Sequence, residues 1–207
     1  MWLVLKNLNI NMANFPSSEK EKLAWNFAKN LHKDQVRKFI GQPYFDAHVQ
    51  RVNGIVKQYT NDEDLIIAAL LHDTLEDCYE DPDVGYVEIK EMFGERVANI
   101  VRELTSSKEE IYNEYGGNKT DYLIDKMINM SDDALIVKLA DRLQNIADAF
   151  TASEKFRNKY FEETSKIISE LERHRKFNKP QIYLITEIKA KLDNIKSIFK
   201  IKRYDEF

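Results

Sequence analysis

Apolar residues recur every three or four positions along most of the chain, the spacing that places them on one face of an α-helix. Leu135, Leu139 and Leu143 form one such stripe. Between positions 89 and 104 the same pattern predicts helical structure that is broken near Gly94. Elsewhere the pattern predicts helices over about 19–31, 46–59, 65–73, 120–130, 132–150, 153–174 and 180–200.

The segments between these helices are predicted to be irregular. Residues 33–44 have the composition of a polar loop, and residues 79–86 that of an acidic, turn-rich loop. Residues 105–118 contain a Gly-Gly pair and are predicted to form an exposed, flexible excursion. Residues 1–16 are predicted to be a loosely ordered or strand-like lead.

Hydroxyl residues mark three of the predicted helix starts. Ser18 with Glu21, and Thr60 with Glu63, fit the capping box, in which a hydroxyl accepts an amide hydrogen and the carboxylate reaches back. Ser131 is predicted to cap the long helix that follows it.

Composition supports an all-α fold of about seven or eight helices. The 207 residues include only 6 Gly and 4 Pro, too few for the repeated turns of an all-β protein. Hydrophobic residues make up 43%, which is ample for a buried core. We therefore expect a single domain over 1–207, with its core at about 18–175 and a C-terminal helix at about 180–200.

Charge and cysteine content narrow the classes of function. The formal net charge is −4, which argues against a general nucleic-acid binder but leaves room for a local positive pocket. Cys78 is the only cysteine, so an intramolecular disulfide and a Cys-rich zinc site are excluded. The apolar run at 2–5 is too short for a signal peptide or a membrane span, so we expect a cytoplasmic protein without membrane association.

A His-Asp pair at the end of a strongly apolar helix is the first candidate for chemistry. His72 and Asp73 lie in "ALLHDTLED", where burial of an ionised carboxylate is costly unless a cation compensates it. His48 and Asp141 are the candidates for further metal ligands, because both are polar residues next to apolar helical positions. Such a nitrogen and oxygen set suits Mn²⁺, Fe²⁺ or Zn²⁺.

Two carboxylates follow this pair at one helical turn. If the helix continues, Glu76 and Asp77 lie next to His72 and Asp73, and they are candidates to hold or deprotonate a water. From these residues alone, the alternative that they have a structural role and bind no metal remains open. His-Asp dipeptides arise by chance, and Asp141 can pair with a neighbouring Arg or Lys.

The order of "RK…GQPYFDAH", "ALLHDTLED", "FGERVANIVRELT" and "VKLADRLQN" resembles the HD superfamily of metal-dependent phosphohydrolases. More narrowly, it is similar to the (p)ppGpp hydrolase domain of RelA/SpoT proteins and to the single-domain small alarmone hydrolases of the metazoan SpoT homologue type. The resemblance extends over about 27–171. It implies an all-α HD-domain helical bundle, and it implies an Mn²⁺ site formed by His48, His72, Asp73 and Asp141.

The resemblance also implies roles for residues outside the metal site. Glu76 and Asp77 match the family's acidic pair that acts on the nucleophilic water. The residues that match the family's nucleotide contacts are Arg37, Lys38, Asn145 and Tyr160. Two neighbours depart from the family pattern: Val49 stands where a Pro is usual, and Phe39 stands where a small residue is usual. Phe39 is therefore expected either to stack on a base or to narrow the pocket.

The implied activity is removal of the 3′-pyrophosphate from guanosine tetra- or pentaphosphate, which gives GDP or GTP and pyrophosphate. One alternative is an HD-family phosphatase acting on a nucleotide or dinucleotide, such as a nucleoside monophosphate or NADPH. The other is a degenerate module that senses a nucleotide or neutralises an alarmone-producing toxin. The expected cofactor is a divalent metal, with Mn²⁺ ahead of Fe²⁺ and Zn²⁺. The sequence is also compatible with a homodimer.

Overall fold

The computed structural model describes the backbone of residues 15–204 and the side chains of residues 15–194. Within these residues the secondary structure is helical, and the one extended pairing is an isolated bridge between Val36 and Pro43. The all-α expectation is confirmed. The lead predicted for residues 1–16 lies almost wholly outside the described residues.

The helices are numbered here in chain order. They are α1 (Glu19–Leu31), a π-helical turn (Phe45–Val49) that continues into α2 (Gln50–Val56), α3 (Glu63–Leu71), α4 (Thr74–Asp77), α5 (Pro82–Phe93), α6 (Glu95–Leu104), α7 (Lys108–Asn113), α8 (Lys119–Asn129), α9 (Asp132–Ala149), α10 (Glu154–His174) and α11 (Lys179–Tyr204).

Helices α3 and α9 form the centre of the bundle. Every residue from Leu65 to Leu71 is buried, and α3 packs against α1, α2 and α6. Helix α9 is buried along most of its length, and it packs against α2, α6, α10 and α11. Because α3 is apolar on all sides, it is stable only inside such a ring of helices. This arrangement brings the end of α3 close to the middle of α9.

The capping interactions differ in part from the sequence prediction. Ser18 does accept a hydrogen bond from the Glu21 amide, at 3.0 Å, but the Glu21 carboxylate accepts from Ser17. Helix α3 is capped by Asp62, whose carboxylate accepts from the Leu65 amide at 3.2 Å. The predicted cap, Thr60, instead accepts from the Asp62 amide. Asp62 takes the cap position because it directly precedes the helix, two residues closer than Thr60.

Two segments predicted as irregular contain helices. Helix α5 begins at Pro82, within the predicted acidic loop, and Asp81 caps it by accepting from the Asp83 amide at 2.9 Å. Proline favours the first helical position because its missing amide has no helical partner there. Helix α7 lies within 105–118, where Ser107 caps it by accepting from the Glu110 amide.

Helix α3 ends before the His-Asp pair. It stops at Leu71, and His72 and Asp73 occupy the junction before α4 begins at Thr74. The Thr74 hydroxyl donates to the Leu71 carbonyl at 2.7 Å, which fixes the junction. The predicted helix at about 65–73 thus ends two residues early, and the condition that it continues through Glu76 and Asp77 is not met. The break lets both side chains of the pair face the same side.

Helix α5 approaches α4 closely at Gly85. A Cβ atom there would lie 2.6 Å from Leu75 and 2.6 Å from the Tyr79 ring. We expect Gly85→Ala to lower the free energy of unfolding by about 1–3 kcal/mol, the usual cost of overpacking, although Ala favours helix. Urea denaturation measures this. The matched control is Val84→Ala on the exposed side of the same helix, and equal stability of the two variants would contradict the prediction.

None of the helices in the described part of the chain is both long enough and apolar enough to cross a bilayer.

Candidate active site

His72 and Asp73 project from the α3–α4 junction towards one point. The Nδ1 atom of His72 lies 2.9 Å from the Ala69 carbonyl oxygen. A carbonyl only accepts, so this nitrogen carries the proton and the neutral ring has a lone pair on Nε2. That Nε2 atom lies 3.0 Å from Asp73 Oδ2. The local backbone thus sets the tautomer in which His72 can bind a cation.

His48 and Asp141 reach the same point from two other elements. His48 lies in the π-helical turn, and its Nε2 is 3.2 Å from Nε2 of His72 and 3.3 Å from Asp73 Oδ2. Asp141 lies in the middle of α9, with Oδ1 3.3 Å from His48 Nε2. The two histidines and Asp141 are buried. Four predicted ligands therefore converge from three parts of the chain.

These donors fit a divalent metal. Atoms of His48, His72 and Asp73 all lie within 4.8 Å of one another. Two ligand atoms each about 2.1 Å from one ion lie roughly 3.0–3.4 Å apart, which is the spacing of the contacts above. A buried carboxylate, Asp141, next to a half-buried one, Asp73, also needs positive charge nearby. The set of two imidazoles and two carboxylates is typical of Mn²⁺, Fe²⁺ and Zn²⁺ sites.

Charges within the cluster keep the carboxylates ionised. Burial would raise the pKa of Asp73, but His72 and His48 outweigh burial and hold the pKa well below its usual range. Burial also opposes the charge of Asp141, and Lys138 and His48 lower its pKa. The Lys138 ammonium lies 3.1 Å from Asp141 Oδ2, and its own pKa is raised. The carboxylates of two predicted ligands, Asp73 and Asp141, are therefore ionised at neutral pH.

The two predicted catalytic acids have different surroundings. Both side chains are exposed, and the Glu76 carboxylate accepts a hydrogen bond from the Ser106 amide at 2.9 Å. Asp77 lines the adjacent pocket, and its partial burial together with the charges of Asp73 and Glu76 raises its pKa to about 6. A carboxylate with this pKa is a suitable proton acceptor near neutral pH.

A pocket of about 750 Å³ lies beside the metal-ligand cluster. The four residues predicted to contact nucleotide, Arg37, Lys38, Asn145 and Tyr160, all line it. Lys119 lines it as well and adds a third cation. The volume falls within the range of small-molecule sites, and the cations suit an anionic ligand.

A hydrogen-bonded chain connects the pocket with the metal-ligand cluster. The Asn145 amide donates to Asp141 Oδ1 at 2.6 Å, and its carbonyl oxygen accepts from Arg37. Arg37 Nε donates to Asp148 Oδ2 at 2.9 Å, and Gln144 donates to the other oxygen of Asp148, also at 2.9 Å. Arg37 is thereby held in one orientation relative to the cluster.

Comparisons with known proteins bear on this geometry. A family model described as "HD domain" matches residues 24–176, which is most of the chain. The chain belongs to the HD domain family. Proteins of this family bind a divalent metal, and the cluster of His48, His72 and Asp73 is the matching feature of this HD domain.

Some relatives of this HD domain are described as pyrophosphohydrolases and others as GTP pyrophosphokinases. A protein of Aquifex aeolicus, described as guanosine-3′,5′-bis(diphosphate) 3′-pyrophosphohydrolase, is 36% identical over 163 residues, which cover 77% of this chain and 22% of the relative. The Drosophila melanogaster protein described as guanosine-3′,5′-bis(diphosphate) 3′-pyrophosphohydrolase MESH1 is 30% identical over 167 residues, covering 77% of this chain and 88% of the relative. The chain spans 22% of the length of the Aquifex relative, and 19% of the length of a Synechocystis relative described as a probable guanosine-3′,5′-bis(diphosphate) 3′-pyrophosphohydrolase.

A solved structure has the same fold as this HD domain. It is described as "A metazoan ortholog of SpoT hydrolyzes ppGpp and plays a role in starvation responses". The TM-score is 0.69 at 28% sequence identity, and the match covers 84% of this chain and 96% of the other.

Five residues that support the site were not predicted from the sequence: Tyr44, Lys119, Lys138, Asp148 and Phe156. Helical spacing carried a signal for three of them. Tyr44 lies four residues before His48, Lys138 three before Asp141, and Asp148 three after Asn145. Of the two neighbouring partners considered for Asp141, the Lys pairing forms, through Lys138 at 3.1 Å, and the Arg pairing with Arg142 does not. Arg142 instead contacts Glu163 and Thr164.

Tyr44 links the pocket with the HD metal site. Its hydroxyl donates to Asp73 Oδ2 at 2.6 Å, and the Arg37 guanidinium lies 5.5 Å from the centre of its ring. Burial and the Asp73 charge raise the pKa of Tyr44, so the hydroxyl remains a donor.

We expect Tyr44→Phe to weaken Mn²⁺ affinity by roughly tenfold, because partners that orient a ligand typically contribute this much. Titration calorimetry measures the affinity. Tyr115→Phe, which removes a hydroxyl bonded to exposed Asp125, is the matched control. Wild-type affinity in Tyr44→Phe would contradict the orienting role.

Proposed function

We propose that this HD domain is a metal-dependent phosphohydrolase that removes the 3′-pyrophosphate from guanosine tetra- or pentaphosphate. The observation that carries the proposal is the direct connection between a cation-lined pocket and the cluster of predicted metal ligands. Asn145 makes this connection, since it contacts both Asp141 and Arg37. The descriptions of the Aquifex and Drosophila relatives support the choice of substrate.

His48, His72, Asp73 and Asp141 would hold the metal, for which we propose Mn²⁺. When bound, a divalent ion lowers the pKa of water and offsets phosphate charge. Asp77 is proposed to accept the proton from the attacking water, because its pKa of about 6 matches that task. Glu76, fixed by the Ser106 amide, is proposed to orient the same water.

The pocket residues are proposed to position the nucleotide. Arg37 presents a planar fork of donors to phosphate or to a purine edge, while Lys38 and Lys119 supply point charges. Water adds to the phosphorus next to the ribose, and the bond between this phosphorus and the 3′ oxygen breaks. The oxygen takes up a proton, and the products are GDP or GTP and pyrophosphate.

The test is incubation of metal-stripped protein with guanosine tetraphosphate, with and without Mn²⁺, Fe²⁺ or Zn²⁺, followed by separation of the products. We expect Mn²⁺-dependent formation of GDP and pyrophosphate in equal amounts. Release of orthophosphate from NADPH or a nucleoside monophosphate, without pyrophosphate release, would replace this proposal by the phosphatase alternative. Nucleotide binding without turnover in the presence of metal would favour the sensing or antitoxin module.

A further inference from the structure

Two exposed phenylalanines meet at the pocket. Phe39 is 54% exposed and Phe156 is 45% exposed, yet their ring centroids lie only 5.1 Å apart. The Phe156 ring also stacks on the Tyr160 ring, with centroids 6.3 Å apart and an angle of 7° between the planes. Phe39, Phe156 and Tyr160, called the aromatic wall here, all line the pocket. Rings that remain this exposed contribute little to the core, so another reason for their placement is needed.

The backbone conformation of Phe39 indicates that its exposed ring is placed to contact a ligand. Its φ of 68° makes Phe39 the one non-glycine residue in the left-handed region within the described part of the chain. Large side chains disfavour this region, and such strained residues cluster at ligand sites. The surrounding loop maintains the conformation, since the Arg37 amide donates to Gln42 at 2.9 Å and the Gly41 amide donates to Arg37 at 3.0 Å. A Gly would relieve the strain, but it would remove the ring from the pocket.

We propose that the aromatic wall binds the nucleobase of the substrate by stacking, and that Phe39 and Phe156 are specificity-determining residues. The inference deepens the proposed function and rests on it. Every base offers a flat π-face to an aromatic ring, whereas a base-free phosphate offers none. Arg37 and Lys38 directly precede Phe39, so a base on the wall places its phosphates within reach of these cations.

Stacking at this position would separate nucleotides from other phosphate esters. The cations of the pocket attract any polyphosphate, because charge alone does not distinguish its source. The wall adds a contact available only to ligands with a ring system. Phe39 and Phe156 should therefore affect the binding of GDP strongly and that of inorganic pyrophosphate hardly at all.

The primary test measures GDP binding by calorimetry in wild-type protein, Phe39→Gly and Phe156→Ala, with Phe156→Tyr as the conservative variant. We expect about 5- to 100-fold weaker GDP binding in the first two variants, from the usual strength of base stacking, and near-wild-type binding in Phe156→Tyr. Inhibition by pyrophosphate should change less than about twofold. Tyr112→Ala is the matched control, because Tyr112 is an exposed aromatic residue outside the pocket lining.

The outcomes separate this inference from the proposed function. Wild-type GDP affinity in both Phe39→Gly and Phe156→Ala would overturn the inference alone. Failure of wild-type protein to bind GDP would overturn the proposed function and the inference together. Equal losses for GDP and pyrophosphate would also overturn the inference, since they would indicate a general distortion of the pocket.

Two further readouts do not depend on turnover. Phe156→Trp should show fluorescence quenching on addition of GDP but not of pyrophosphate, and absence of the GDP response would count against stacking. Phe39→Gly should retain or exceed the wild-type Tm, because it releases a strained backbone. A lower Tm would show that the Phe39 ring serves the fold and would overturn its assignment to the ligand.

Discussion

Asp73→Ala is expected to abolish tight binding of divalent metal and to lower turnover by roughly a thousandfold or more, since the chemistry assigned to the metal would be lost. Oδ2 of Asp73 lies within 3.3 Å of the ring nitrogens of both His48 and His72, and it accepts the Tyr44 hydroxyl. No other carboxylate oxygen in the described part of the cluster contacts both rings. Metal content after dialysis, measured by atomic emission, tests the prediction.

The controls for Asp73→Ala separate metal loss from unfolding. Far-UV circular dichroism should retain the helical signal, because the substitution leaves unchanged the Asp73 backbone carbonyl that accepts from the Asp77 amide at 3.0 Å. Asp64→Ala is the matched variant, since it removes a carboxylate from α3 that pairs on the surface with Lys20 and Arg96. It should keep full metal content. A metal content in Asp73→Ala equal to that of the wild type would refute the assignment of this ligand.

Three of the four candidate metal ligands could be selected from the sequence because each is out of place in its local pattern. His72, Asp73 and Asp141 follow or interrupt apolar helical stripes, where a polar residue needs a reason to be buried. These residues meet only through tertiary packing, which the sequence does not show. From the residue types and spacing alone, a purely structural role for them therefore remained open. The resemblance to a known family connected the motifs before the structure did. Their roles as ligands and catalysts remain predictions until metal binding and turnover are measured.

The local geometry of the site was not predictable from periodicity. A repeat of 3.6 residues gives no sign that the helix at His48 opens into a π-helical turn, or that α3 stops at Leu71. The prediction of a loop at 79–86 was wrong for a related reason. Pro82 was interpreted as a turn residue, whereas Asp81 and Pro82 together start a helix.

The pocket depends on residues far apart in the chain. Phe39 meets Phe156, and Arg37 meets Asp148, across more than a hundred positions. No periodic pattern links such pairs, because only the packing of the loop before the π-helical turn against α9 and α10 brings them together. The strained backbone at Phe39 is likewise visible only in the structure.

Asp77→Asn is expected to stabilise the metal-stripped protein at neutral pH while lowering turnover by about 10²–10⁴-fold, the usual contribution of a general base. Burial, then the charges of Asp73 and Glu76, raise the pKa of Asp77 from 3.8 to about 6. The folded state therefore favours the protonated form. Asn resembles that form and carries no charge to be repelled.

The sign of the stability change follows from this raised pKa. The favourable contribution of protonated Asp77 is fully present below about pH 4, and it is lost as the pH rises through about 6. Above this window Asp77→Asn should be more stable by about 1 kcal/mol, a value reduced for the solvent exposure of the group. Near pH 4 the two proteins should be equally stable. Urea denaturation at pH 4, 5, 6 and 7.5 measures the difference.

Glu76→Gln is the matched comparison for the pH-dependent stability of Asp77→Asn. Glu76 is exposed, and its carboxylate accepts a hydrogen bond from the Ser106 amide. The side-chain oxygen of Gln can accept the same hydrogen bond. Glu76→Gln should therefore lose turnover without the pH-dependent gain in stability expected of Asp77→Asn. If Asp77→Asn showed the same stability difference at every pH, burial of Asp77 would not be the cause. If it also turned over at the wild-type rate, the proton-acceptor role would pass to another group, with Glu76 the first to examine.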